Sequence, residues 1–229
     1  MQLTQIGRSK RDRTVRNPRV VFLYSSVYDE QWKNAWRNLP KKEGRYPSPN
    51  FTQRYLSRLE EEWRKDEQRV FASILKYSGI PWFSLEHTCY VVGYMVPFSD
   101  PLTIPVFRTE VPIDYVIDVL THELIHRNLI QRQCYEKVEQ ALARLRQAYP
   151  RESENVIIHI IVHAIHERVF EEVFSTDRLR REKKIMFAIT DYKRAWEIVE
   201  SLGAEKVIQT FLTKYSFKKN RGRRVATPP

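Results

Sequence analysis

His122-Glu123-Leu124-Ile125-His126 is the segment of this chain whose residue types and spacing could do chemistry. On a helix, residues four apart lie on one face, about 6 Å apart along the axis, so both imidazoles can reach one ion. Glu123 is one position round from His122, where a carboxylate can meet a metal's water without being a ligand. Zinc is the natural occupant, because it accepts nitrogen ligands tetrahedrally and keeps an open position when three protein groups bind. The chain has six histidines, and five of them lie in two short apolar segments, 122–126 and 159–166. Burying imidazoles without partners is costly, whereas metal ligation satisfies them.

A third ligand is expected from Ile158 to Glu172, where His159, His163, His166 and Glu167 lie close to one face of a helix. His163 is favoured, since it is central to the cluster and precedes the small Ala164, which permits close helix approach. Glu167 is the next choice, either as a ligand or as the partner of the outer nitrogen of His163. His159 and His166 read more simply as caps on the apolar face.

The elements that must position these residues follow from periodicity. Val20 to Ser25 is a short β-branched and aromatic run, the composition of a buried strand. Tyr28 to Arg37 suits a short helix. Phe51 to Tyr77 places Tyr55, Leu59, Trp63, Val70 and Ile74 at helical spacing, which predicts one long amphipathic helix closed by Gly79 and Pro81. Thr88 to Phe98 and Leu102 to Phe107 read as two strands of a hairpin about Ser99-Asp100-Pro101, with Pro105 favouring an edge for the second. Helices are then expected over Ile113–Gln133, Tyr135–Tyr149, Asn155–Phe174, Ile185–Leu202 and Ala204–Tyr215. The resulting class is α+β: a small mixed or antiparallel sheet, an active-site helix, and a helical C-terminal half.

Composition bounds the rest. Of 229 residues, 42% are hydrophobic and 12% aromatic, which describes a packed globular chain and excludes a disordered or fibrous one. Two cysteines, Cys89 and Cys134, are too few for a disulfide framework or a four-cysteine zinc site. No apolar run approaches the roughly 20 residues of a membrane span, and the arginine-rich start does not read as a secretory signal, so a cytoplasmic location without membrane contact is expected. The net charge is +11, yet residues 1–19 and 218–229 each carry a net +5 and leave only +1 for residues 20–217. The organisation expected is a basic arm (1–19), a folded body (20–217) and a basic tail (218–229). Such arms can attract nucleic acid weakly, although no aromatic-interleaved basic motif accompanies them.

His122, Glu123 and His126, with the order of elements around them, make the chain resemble the zincin metallopeptidases. In that family an edge strand that binds extended substrate precedes the active-site helix, and a later helix supplies the third ligand. Leu102–Phe107 and Asn155–Phe174 occupy those places. The residues after His126 lack the glycine and third histidine of metzincins, so the resemblance is to a compact gluzincin-like or SprT-like domain. It implies a zinc hydrolase, with Glu123 as general base on zinc-bound water and a peptide or protein as substrate. Tyr192, Tyr215 and His166 are the residues named for oxyanion stabilisation. The alternatives are a protease acting on DNA-associated proteins through the basic arms, and a zinc-binding interaction module without turnover.

Overall fold

The computed structural model describes residues 17–40, 44–107 and 111–212. Nearly all of both basic arms, and Tyr215, lie outside the described residues. β1 (Arg19–Leu23) buries Val20 and Phe22 by the two-residue alternation of a strand. α1 (Ser26–Arg37) follows, with the Ser25 hydroxyl accepting from the Tyr28 amide. The Ser48 hydroxyl likewise caps α2 (Pro49–Trp63), whose first position is a proline. β2 (Glu86–Val92), β3 (Phe98–Ser99) and β4 (Leu102–Pro105) complete a sheet of order β1-β2-β4-β3. β1–β2 and β2–β4 are parallel and β3–β4 antiparallel, so the expected α+β class with a mixed sheet is what forms.

Three expectations about these elements need correction. The long helix over 51–77 is two helices, α2 and α3 (Glu67–Ser78). Trp63 and Val70 keep helical phase across the break, so periodicity cannot reveal it. What makes it is Glu67, whose buried carboxylate accepts from the Val20 amide at 2.7 Å, the Trp63 indole at 2.9 Å and Arg64 at 2.6 Å. Arg64 also donates to the Val20 carbonyl at 3.0 Å. The outward donor and acceptor of β1 at that residue are therefore both occupied by side chains.

The expected hairpin is shorter, and β4 is not the outermost strand. Only Phe98–Ser99 pairs antiparallel, with Thr103 and Leu102, while β2 runs parallel to β4. The Val106 amide bonds to the Val92 carbonyl, so alternation turns the nitrogen of Pro105 away from β2, beyond the reach of the two-residue β3. A missing N–H is harmless there, which is why the proline reads as an edge residue.

The helical half comprises α4 (Ile113–Leu129), α5 (Tyr135–Ala148), α6 (Glu154–Val173), α7 (Thr176–Met186), α8 (Thr190–Leu202) and α9 (Ala204–Val207), the last continuing as a π-type turn over Ile208–Leu212. The expected single helix over Ile185–Leu202 is thus the end of α7 and all of α8. α7 has few apolar residues, and Leu179 and Met186 bury against the rest. α6 packs against α3, α4, α5, α7, α8 and α9, and α4 packs against β3, β4, α2, α3, α6 and α7. Being surrounded, α4 and α6 are buried on most of their circumference. The core is one contiguous cluster from Val20 through Trp63, Ile104, Leu120 and Ile160 to Trp196. Among the described residues, no helix is long and apolar enough to cross a membrane.

Candidate metal centre

α4 presents His122 and His126 one turn apart, and α6 presents His159, His163 and His166 at helical offsets of four and seven. The contact between these two helices brings all five rings together. His122 Nε2 and His126 Nε2 are 3.2 Å apart. One ring nitrogen from each of His122, His126 and His159 lies within 4.8 Å of the other two. Tetrahedral ligands about 2.0–2.1 Å from a zinc ion stand roughly 3.3 Å apart, so the His122–His126 pair has the required separation.

His159 is prepared for this place. Its Nδ1 is 2.7 Å from the Asn155 carbonyl oxygen, to which it donates, leaving the lone pair on Nε2. That Nε2 is buried without a hydrogen-bond partner. A ligating histidine usually gives its other N–H to a carbonyl or carboxylate in this way. His163 lacks this tie to a carbonyl. Its ring stacks on Trp196 of α8, with centroids 4.3 Å apart and planes 11° apart, and neither of its nitrogens has a partner. The expected third ligand, His163, is outside the convergent group, and His159 is in it. Glu167, the other residue considered, accepts from Lys183 at 2.8 Å.

The electrostatics favour neutral imidazoles, the form that binds metals. Burial, followed by repulsion from the neighbouring histidines, holds His122 and His163 well below the usual histidine range. Burial and the charge at His159 push His126 down to about 3. His166 falls to about 3 through burial, Lys183 and His126, and burial lowers His159 as well. Glu123 is 9% exposed, and burial pushes its carboxyl up to about 8. Tyr192 on α8 packs its ring on His159, with centroids 4.1 Å apart, and lies 6.1 Å from the His122 ring.

Comparison with known families, curated proteins and solved structures gives no match. The site therefore has to be read from its own residues. Their donor set suits a borderline ion such as zinc: three nitrogens of imidazoles held neutral, with the buried Glu123 following His122 on the same helix. Of the residues expected from the sequence, His122 and His126 are in the convergent group and Tyr192 packs against it, whereas His159, expected to cap the apolar face, is the third member. Offsets of four and seven along α6 admit any of its histidines, and only the crossing of α6 over α4, with Trp196 covering His163, selects among them.

Proposed function

We propose that this chain is a zinc-dependent hydrolase acting on peptide bonds, with His122, His126 and His159 as metal ligands and Glu123 as general base. The observation that carries the reading is the convergence of three neutral imidazoles, one of them preset by the Asn155 carbonyl, on a helix whose next residue after His122 is the buried Glu123. A closed structural site would have no use for that carboxyl. Peptide hydrolysis in particular rests on the resemblance of His122, Glu123 and His126 to the zincin motif.

When bound, the metal supplies a Lewis acid and lowers the pKa of water at its open position toward roughly 7. Glu123 removes one proton from the attacking water and passes it to the leaving amine. Its pKa, raised by burial, falls where a cation is near, because an adjacent positive charge favours the carboxylate. Among the described residues Tyr192 is the tyrosine whose ring packs against His159 and His122, and its phenol is the group assigned to steadying a developing oxyanion.

The test is a proteolysis screen with purified protein of measured zinc content, comparing wild type, chelator-treated wild type and Glu123→Gln. Chelator-sensitive cleavage lost in Glu123→Gln supports the enzyme. Stoichiometric zinc without cleavage of any peptide or protein offered supports the interaction module instead.

A further inference from the structure

The outer side of His122 is closed by another histidine. His122 Nδ1 lies 3.3 Å from His166 Nδ1, and both rings are buried. Two ring nitrogens at that distance share one proton, so one ring donates and the other accepts. The opposite nitrogen of His122, Nε2, faces His126 Nε2 within the convergent group. For Nε2 to offer a lone pair, the His122 proton must sit on Nδ1, and His166 Nδ1 is then its acceptor.

A second observation shows that the His166 nitrogen at this contact has a use, while the direction follows from the lone pair needed on His122 Nε2: whichever ring holds the shared proton, His166 Nε2 is buried and has no partner. The ring occupies an apolar slot, stacked on Phe170 at 4.1 Å and edge-on to Trp196 at 5.7 Å. A phenylalanine would fill that slot without leaving a donor unsatisfied, and orphaned buried polar groups in folded proteins usually have a reason. A nitrogen at this place, able to share a proton with His122 Nδ1, is what a phenylalanine could not provide.

We infer that His166 is a positioning residue, which holds His122 in the Nδ1–H tautomer and so directs the Nε2 lone pair toward the metal. The inference rests on the metal-binding reading above for its purpose, and in the metal-free chain the same direction has His126 Nε2, 3.2 Å away, donating to His122 Nε2. His122 and His159 would then be preset by different acceptors, an imidazole for one and a backbone carbonyl for the other.

The experiment uses the full chain with Co2+ as the probe and three proteins: wild type, His166→Phe, which fills the slot but cannot accept, and His166→Asn, whose amide oxygen can. Long-range proton–nitrogen correlation spectra of the metal-free proteins should show His122 as Nδ1–H in wild type and His166→Asn, and as a mixture in His166→Phe. Co2+ affinity should fall about 10- to 100-fold in His166→Phe with a changed visible spectrum, and recover to within a few-fold in His166→Asn. An Nε2–H tautomer for His122 in wild type overturns the inference, even if His166→Phe fails to fold. Wild-type tautomer and Co2+ affinity in a folded His166→Phe protein overturn it equally. Wild type that takes up no Co2+, while the His122 tautomer still depends on residue 166, overturns the metal reading and leaves the positioning role standing.

Discussion

His159 Nδ1 stands 2.7 Å from the carbonyl oxygen of Asn155, one turn earlier on the same helix. The bond fixes which nitrogen of His159 faces His122 and His126, and no such tie exists for His163. His159→Ala should therefore reduce zinc content from about one per chain to near zero, as should His122→Ala or His126→Ala. His163→Phe, which keeps a ring against Trp196, should retain it. Elemental analysis of the purified proteins decides this, and zinc lost from a folded His163→Phe protein but kept in His159→Ala would return the ligand role to His163.

Glu123→Gln keeps the size of the side chain and removes its basicity. Zinc content and thermal stability should stay close to wild type, while kcat for any substrate found falls about 100- to 10,000-fold. KM should change little, since the proton transfer stabilises the transition state more than the bound substrate. Undiminished, chelator-sensitive turnover by the zinc-loaded variant would rule out Glu123 as the base.

Glu182 on α7 gives the fold a pH dependence separate from the metal centre. It is 1% exposed, and burial, reinforced by the Asp118 carboxylate, pushes its pKa from 4.5 to about 8. Between those values the folded chain keeps a proton that the unfolded chain has lost, so this residue's contribution to stability declines as pH rises from about 4.5 to 8. Glu182→Gln should match wild type near pH 5 and exceed it at pH 9 by on the order of a few kcal/mol. Urea unfolding at the two pH values measures the difference, and a gap that does not grow with pH counts against the assignment.

Asp118, fully buried on α4, accepts from Arg178 Nε at 2.8 Å and from Arg181 Nη2 at 2.5 Å, both on α7. Asp118→Ala leaves two guanidinium groups without their buried partner. The expected loss is about 3 kcal/mol, at the low end for a broken buried pair because both arginines keep some contact with water. Zinc content should be unaffected. A loss under about 0.5 kcal/mol in denaturant unfolding would show that solvent already screens the pair.

How much of this is legible in the sequence depends on whether an element announces itself locally. α4 and α6 are apolar nearly all round and carry their histidines at helical spacing, so both the helices and their burial follow from the chain alone. The break between α2 and α3 does not, because it is made by Glu67 reaching β1, a contact 47 residues away in sequence. α7 is hidden by its charge. Arg178, Arg181 and Lys183 are spent on Asp118, Asp114 and Glu167, none of which lies on the same helix. Of the site, the motif on α4 is local and readable, while the choice of His159 over His163 is a fact about how two helices cross. Neither ring's neighbours can be read from its own position.

The side chains of Glu67 and Arg64 that saturate Val20 make the β1 margin of the sheet a poor template for a strand from another molecule, since a newcomer would meet charged groups already engaged where it needs free amides and carbonyls. The opposite margin is closed by other means: past the two residues of β3, no strand among the described residues pairs with the flank of β4 at Pro105, which has no N–H to offer, and α4 packs against β3 and β4. Recruitment of an extended polypeptide by strand addition is thus discouraged at both margins, by side chains already engaged at β1 and, on the side that borders the helix bearing Glu123, by the missing amide of Pro105.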